Sequence, residues 1–440
     1  MKLMINKLLS FIKHSYHRPT AKLEHFCVLI FKLFLNDKTK LVSEKMMLLK
    51  FPPISMVYFN SLGRFFYALI NFLSIILFRK FFDKSLSIEK FDNEEKTIRQ
   101  KKNVGDNLSP WPPQAIHNFE DQKEVSDDFL HKIFSSYEKA IKDENKEELE
   151  DSPWWTELRK EFQGIFLENQ GLNKKSIQNF RNDIESKSAI LKDQNVAISK
   201  KNSKFTNMIN ATLLACLYHK YSEIINLNTL RAVSDSYAGN NSCVIYRGQR
   251  LNHRILRYSY YISQLKNKLD FKQDEKITIC DIGGGFGGLL RLLKNTYLNS
   301  TCILVELPET CLLASYFLKK NFPDSKILLY SDFNKDVNYK DYDIVILPQN
   351  MIRNFEDKSI DLVLNTSSLS EMKNETQDFY LSQIERVTKK YFYSVNRHKY
   401  KMHKYNAQGF YNLKFKKRWN TIIYDFTHTF QLEFLGKVEE

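Results

Sequence analysis

The chain has 440 residues, more than a single domain usually holds, so two or more folded units are expected. Its 66 Lys and Arg against 51 Asp and Glu leave a formal charge of +15, and about ten of those charges fall in residues 1–90. The remainder is near balance, which argues against a nucleic-acid footprint spread over the whole protein. The six cysteines (Cys27, Cys216, Cys243, Cys280, Cys302 and Cys311) form no C-x-x-C pair, and several lie in apolar runs, as reduced thiols of a cytosolic protein would.

Residues 1–50 alternate apolar stretches with lysines and show no small-residue cleavage site, so no secretory signal is read there. Residues 65–78, between Arg64 and Arg79-Lys80, are the most apolar stretch. At about 14 residues they fall short of the ~20 needed to span a bilayer. Two readings stand level: a helix lying in the interface of the inner face of the cytoplasmic membrane, held by its basic flanks, or a buried core helix. A span reached by including Met56–Asn60 is a third. Residues 91–125, with Gly105, Pro110, Pro112 and Pro113, read as a linker. A charged helix follows in 126–150 with its stripe at Phe129, Ile133 and Tyr137, and a second helix starts at Ser152-Pro153 with Trp154, Trp155, Leu158, Phe162 and Phe166, read as core. Residues 172–204 are ambiguous, and an apolar helix returns from Phe205 to Tyr221. Residues 126–265 are thus expected to form a helical cap or substrate domain ahead of a cofactor domain at 266–440.

The segment Tyr246 to Tyr261 interleaves tyrosines with Arg250, Arg254 and Arg257 at helical spacing. It is either a solvated basic face or a lid helix, able to stack on a ring and fork onto a carboxylate or phosphate. On the lid reading Tyr246, Arg250 and Tyr258 contact the substrate held beneath the lid.

Ile277-Thr-Ile-Cys-Asp-Ile282 is a short apolar run of the kind buried on both faces of a sheet, followed by five glycines within six residues, then Leu289, Leu290, Leu292 and Leu293 at helical spacing. Strand, glycine turn and helix open a nucleotide-type α/β fold. Gly283, Gly285 and Gly288 fit the dinucleotide fingerprint; Gly283, Gly285 and Gly287 behind Asp281 fit the pattern of S-adenosylmethionine-dependent methyltransferases. Asp281 favours the second. A carboxylate beside the turn repels a pyrophosphate and suits a ligand with an ammonium and a sulfonium.

Cys302–Glu306 is the next strand, ending in an acid placed to hydrogen-bond ribose hydroxyls. Pro308 opens a helix running to Phe322. Residues 326–330 and 343–347 each qualify as the third parallel strand, so either Asp332 or Gln349-Asn350 meets the adenine amine. Asp361–Asn365 is a strand whose loop holds Ser368 and Glu371, and Tyr391–Val395 leads into Asn396, Arg397 and His398. Ligands of open parallel sheets bind outside the strands' carboxyl ends, so these loops should converge on one crevice. Residues 420–438 give two extended runs, read as a closing antiparallel hairpin.

Asp281-Ile-Gly-Gly-Gly-Phe-Gly-Gly, Glu306-Leu-Pro-Glu-Thr310, Leu347-Pro348, Asn365-Thr-Ser-Ser-Leu-Ser-Glu371-Met372 and Tyr391-Phe-Tyr-Ser-Val-Asn396-Arg397 together resemble the bacterial sugar O-methyltransferases. The resemblance covers roughly residues 205–400; the first 90 match no family. It implies a Rossmann-like, seven-stranded methyltransferase sheet preceded by a mostly α-helical region. It also implies an S-adenosyl-L-methionine cofactor and methylation of a sugar hydroxyl in surface-glycan synthesis.

A sugar hydroxyl is a poor nucleophile at neutral pH and needs a general base or a metal. Glu371 and His398 are the candidate bases; Glu371 would otherwise cap the next helix, and His398 would be a surface histidine. Asn365 is placed for cofactor or acceptor, and Ser368, Asn396 and Arg397 for the acceptor. No metal signature stands out. The rival functions are an NAD-dependent oxidoreductase and a non-catalytic, membrane-associated scaffold that binds S-adenosylmethionine. A nucleic-acid methyltransferase is disfavoured, because the loop after Asn365 lacks a Pro-Pro-aromatic sequence.

Overall fold

The computed structural model describes residues 87–88, 124–144, 153–168, 171–181, 211, 214–215, 217–218, 221–241, 243–272, 274–397, 419–427 and 431–439. All of these belong to one of the chain's two compact units, Ser74–Glu440. The apolar stretch 65–78, nearly all of the basic region and the linker up to residue 123 lie outside the described residues. Among the described residues no helix is long and apolar enough to cross a membrane.

The helical part begins with α1 (Asp127–Lys142), whose N-cap Ser126 accepts from the Phe129 N–H, with Asp127 and Asp128 in the first turn and Lys139 and Lys142 in the last. That charge order complements the helix dipole. α2 (Pro153–Phe166) follows, then the short α3 (Lys174–Gln178) and α4 (Leu227–Ala232). Leu158, Phe162 and Phe166 of this helix are core, whereas Trp155 is only half-buried. Val244–Tyr246 and Gln249–Leu251 then form a hairpin whose two turn residues, Arg247 and Gly248, both take positive φ, the geometry a two-residue hairpin turn demands. Asn252 caps α5 (His253–Lys268), accepting from the Ile255 N–H.

The second half is one sheet of eight strands: β1 (Thr278–Ile282), β2 (Thr301–Glu306), β3 (Ile327–Leu329), β4 (Ile344–Pro348), β5 (Ile360–Thr366), β6 (Thr388–Arg397), β7 (Trp419–Phe426) and β8 (Gln431–Val438). The order is β7-β8-β6-β5-β1-β2-β4-β3, with every pairing parallel except the two made by β8. The closing antiparallel hairpin is therefore present. The sheet has one strand more than the seven expected, because both apolar runs after β2 are strands. Ile344–Pro348 pairs with β2, and Ile327–Leu329 sits outside it at the edge.

Helices α6 (Gly288–Thr296), α7 (Pro308–Asn321) and α8 (Asn374–Val387) connect the strands. Alternate residues of each central strand enter two separate cores. Ile279, Leu304, Ile346 and Leu364 pack with α5, α6 and α7, whereas Cys280, Ile303, Val345 and Val363 pack with α8 and the short turns around Met351 and Phe355. A strand covered on both faces must read as continuously apolar, which is why the run at Ile277 shows no alternation. The chain leaves β1 for β2 on one side and later enters β5 on the other. The carboxyl end of β1 is thus the topological switch point where ligands of such sheets bind.

Candidate functional site

The glycine turn leaves β1 through three left-handed residues, Gly283, Gly285 and Gly287 (φ 68°, 59° and 83°), a region in which a side chain is strained. Each glycine has a different neighbour. A Cβ on Gly283 would collide with Ser368 in the loop after β5, and one on Gly284 would collide with the Asp281 carboxylate and Leu304. At Gly285 a Cβ would meet nothing within 4 Å, so this stretch of main chain faces open space. Phe286, between the last two turn glycines, is buried between the Arg181 and Arg254 guanidiniums, 5.0 and 5.1 Å from its ring centre.

Asp281 is fully buried inside β1, and neither carboxylate oxygen has a hydrogen-bond partner among the described residues. Burial without a counter-charge pushes its pKa up to about 7. Glu306, at the end of β2, accepts from the Gly285 N–H (3.3 Å) and the Leu307 N–H (2.7 Å). Its pKa too is raised to about 7, first by burial and then, against these two hydrogen bonds, by the Asp281 and Glu371 charges. Glu371 lies in the short turn Leu369–Glu371 after β5, with Arg397 Nη1 3.6 Å from its Oε1. Burial raises it to about 7 as well, while Arg397 and Arg257 pull the other way.

The crevice therefore assembles Asp281, Gly283, Gly285, Gly287, Glu306, Ser368, Glu371 and Arg397 from four different connections. Gln349 follows β4, beside β2; its side chain donates to Glu144 (3.2 Å) and its carbonyl accepts from the Tyr380 hydroxyl (3.2 Å). Glu144 is held in turn by a bidentate Arg159, 2.7 and 2.8 Å, and Arg159 also reaches Glu309 in the first turn of α7. This places Gln349-Asn350, not Asp332, next to β2. Asp332 follows the edge strand β3, half exposed, and takes Lys132 at 3.5 Å.

Asn365 and Asn396 are fully buried, and their amides are committed to holding the loops. Asn365 donates to the Ile282 carbonyl (2.8 Å) and accepts from the Leu369 N–H (3.1 Å); Asn396 donates to the Asn365 side chain (2.9 Å) and accepts from the Ser370 N–H (3.3 Å). They position the crevice walls rather than face a ligand.

The lid reading of 246–261 needs correcting at its start. Helix α5 begins at His253, so Arg250 belongs to the preceding hairpin, where it stacks 3.3 Å from the Tyr237 ring centre and donates to the Asn241 carbonyl. It adjoins a buried knot centred on Asp235, which Arg181 grips at 2.5 Å together with Asn241 and Asn252. Burial alone would raise the Asp235 carboxyl; Arg181, Arg291 and Arg250 outweigh it and hold it below its ordinary value. Tyr246 is core, edge-on to Tyr218. Tyr258 is nearly buried with its ring on Gly288, at the foot of α6. The residues of this segment that do reach the site are Arg254, over the glycine-turn Phe286, and Arg257, one turn further along. The signal that separates them from Arg250 is the Asn252 cap, which starts the helical period after Arg250. His398 lies outside the described residues. Among the described residues no cluster of His, Cys, Asp and Glu has the arrangement of a metal site.

No protein-family profile matches the sequence, and no curated protein does. Among solved structures, the PH0226 protein from Pyrococcus horikoshii aligns with a TM-score of 0.30 at 14% identity, covering 41% of this chain and 91% of that one. Phosphoethanolamine N-methyltransferase 2 from Haemonchus contortus, in complex with S-adenosylhomocysteine, scores 0.23 at 18% identity, covering 31% of this chain and 27% of that one. Geranyl diphosphate C-methyltransferase from Streptomyces coelicolor, with Mg2+, geranyl diphosphate and S-adenosylhomocysteine, scores 0.23 at 16% identity, with 32% and 46% covered. The chain thus spans less than half the length of either methyltransferase. Likenesses this distant carry no chemistry over. The strand order, the antiparallel β8 and the glycine turn at the switch point themselves define a Rossmann-like sheet of the class I methyltransferase type, with one added edge strand.

Proposed function

We propose that this chain is an S-adenosylmethionine-dependent O-methyltransferase that methylates a sugar hydroxyl. The observation that carries the cofactor assignment is Asp281: a buried carboxylate with no partner among the described residues, beside a turn whose Gly285 faces open space. Leaving such a group bare costs several kcal/mol, of order 2–4, unless a cation meets it. A ligand bearing an ammonium and a sulfonium supplies that cation; the pyrophosphate of a dinucleotide would add like charge. The residues present fit the group: Asp281 and the turn for its amino-acid end, Glu306 for the ribose hydroxyls, Gln349-Asn350 for the adenine. When bound, it supplies a methyl carbon on a positively charged sulfur.

Glu371 is the residue of this chain that takes the proton from the acceptor hydroxyl. A carboxyl held near neutrality is matched to that task, and its loop leaves the sheet beside the glycine turn. Ser368 stands against Gly283 and defines the wall between cofactor and acceptor. The choice of a sugar acceptor, and of surface-glycan synthesis, is supported by the sequence resemblance over residues 205–400. Peripheral contact of residues 1–90 with the inner face of the cytoplasmic membrane belongs to the same proposal.

Calorimetry on the full-length protein tests the reading. S-adenosylmethionine binds, NAD does not, and Asp281→Ala abolishes the heat. Binding of NAD in its place would make the chain an oxidoreductase. Glycan mass spectrometry with and without the gene then looks for the loss of one methyl per acceptor. Cofactor binding with no methylated glycan, and no difference between the native protein and Glu371→Gln, would leave a scaffold.

A further inference from the structure

We infer that the helical half of the chain sets the shape of the glycine turn, and that Arg181 is the positioning residue through which it does so, by holding Phe286. The inference rests on the cofactor reading above and adds to it a residue that acts on the cofactor through another side chain.

Gly283 to Gly288 holds five glycines in six residues, so main-chain freedom there is high and its loss on ordering is costly. The Gly283 N–H donates to the Val305 carbonyl at 2.8 Å, which fastens the start of the turn to β2. Further on the hydrogen bonds are long: 3.3 Å from the Gly285 N–H to Glu306, and 3.2 Å from the Gly287 N–H to the Gly284 carbonyl. Phe286 supplies the one side chain of the turn beyond a hydrogen atom, and it is only 4% exposed. Gly285 and Gly287 are its chain neighbours, so the place of its ring fixes theirs.

The ring is gripped largely from outside the sheet. Phe317 on α7 meets it edge-on, 4.9 Å between ring centres, and Phe180 does so at 5.7 Å. The Arg181 and Arg254 guanidiniums lie over it at 5.0 and 5.1 Å. Phe180 and Arg181 follow α3 and Arg254 is on α5, all in the helical half. Arg181 is in turn tied down: Nη2 pairs with Asp235 at 2.5 Å, Nη1 donates to the Ser236 and Ala238 carbonyls, and its main-chain N–H donates to the Gly239 carbonyl at 2.8 Å. A Cβ on Gly239 would collide with both Phe180 and Arg181, so residues 235–239 are pressed against the pair.

An aliphatic side chain at 286 would bury equally well; a ring under guanidiniums adds a defined orientation. The part that gains from orientation is the adjacent main chain, where Gly285 faces open space and shares its N–H with Glu306. Order in residues 235–241 and order in the turn are therefore coupled, and by reciprocity a ligand of the turn stabilises both.

Calorimetry and melting of the full-length protein with S-adenosylhomocysteine test this. Phe286→Leu keeps an apolar side chain and removes the ring. Arg181→Met removes the guanidinium and leaves Asp235 the Ser236 N–H and the Asn241 and Asn252 amides as donors. Each variant should bind S-adenosylhomocysteine about tenfold more weakly, as expected when a desolvated cation–ring contact that pre-orders the turn is lost. The double variant should lose little more than either, because both remove one contact. Arg181→Lys, a cation without the planar fork, should fall between native and Arg181→Met, and carries the test if Arg181→Met does not fold. Saturating ligand should slow amide hydrogen exchange across residues 235–241 in the native protein but not in Phe286→Leu. A merely structural role moves the melting temperature and neither of these readouts. Native affinity in Phe286→Leu and the Arg181 variants, losses that add in full in the double variant, or exchange at 235–241 indifferent to the ligand overturns the inference alone. Failure of S-adenosylhomocysteine to bind the native protein overturns the cofactor reading with it.

Discussion

Three adjacent glycines show how differently one residue type can be constrained. Gly283 and Gly284 are pressed against Ser368 and against Asp281 with Leu304, whereas Gly285 has room for a methyl group but not the backbone angle. Gly283→Ala should therefore disrupt the packing of the β5 loop and lower the melting temperature by several degrees. Gly285→Ala should cost only the ~1 kcal/mol of a strained left-handed residue, yet lose cofactor affinity, because the methyl group enters the space where a ligand approaches the main chain. Comparing melting and calorimetry of the two variants separates the roles. Asp281 is the other residue with a distinctive signature. Its raised pKa means that the folded protein holds a proton that the unfolded chain releases near pH 4, so ionising it on folding at higher pH is unfavourable. Asp281→Asn should stabilise the ligand-free protein by a margin that grows from little at pH 4 to on the order of 3–4 kcal/mol at pH 8, and should lose cofactor binding at both. Equal urea midpoints for variant and native protein at pH 8 would contradict the unpartnered carboxylate.

At the scale of elements, α5 delivers Arg254 and Arg257 to the site only because it is fastened to the sheet. Glu433 on β8 is buried, and accepts hydrogen bonds from Tyr260 on α5 (2.6 Å) and Tyr393 on β6 (2.7 Å). Burial raises the Glu433 pKa, against the pull of these hydroxyls. Glu433→Leu takes the acceptor from the Tyr393 hydroxyl and one of the partners of the Tyr260 hydroxyl, and should destabilise the protein by about 2 kcal/mol, part of the loss being offset by removal of a buried charge. On the opposite side Arg159 joins α2 to Glu144, beyond the end of α1, and to Glu309 on α7, with all three side chains largely buried. Arg159→Met leaves two buried carboxylates unpaired and should cost about 3–5 kcal/mol in chemical denaturation. Because Glu144 also holds Gln349, the same variant should weaken cofactor binding wherever it remains folded.

For the molecule as a whole, the crevice stores protons. Asp281, Glu306 and Glu371 are each pushed up to about 7, so between pH 4 and pH 7 the folded protein binds more protons than the unfolded chain and its stability falls as pH rises through that window. A cationic ligand reverses the effect at Asp281. Binding of S-adenosylmethionine should release protons near pH 6–7 and tighten as pH rises through about 7, which calorimetry in two buffers of different ionisation enthalpy would reveal. Binding without proton release would count against Asp281 as the contact.

Much of this was legible in the residues themselves. The buried-both-faces strand at Ile277, the glycine turn, the acid ending the next strand and the Pro308 helix entry are local features, each set by a few neighbouring residues, and local physics suffices for them. Other points turn on distances along the chain that sequence alone leaves open. Two apolar runs after Glu306 had equal claim to the third position, and only the pairing of Ile344–Pro348 with β2 put Gln349 beside the crevice and sent Asp332 to the edge. Asn365 and Asn396 looked like ligand contacts, yet they bond to each other across neighbouring strands that are consecutive in the sheet and 31 residues apart in sequence. The spacing of Arg250, Arg254 and Arg257 suggested one helix face; the Asn252 cap divides it. The sequence by itself determined that a glycine turn ends a buried strand beside an acid, because steric freedom and hydrophobic burial act over a few residues. Which charges meet across the crevice was decided by tertiary structure alone, because the balance at Glu371 is set by α5, β5 and β6, elements that become neighbours only when the sheet closes over its core.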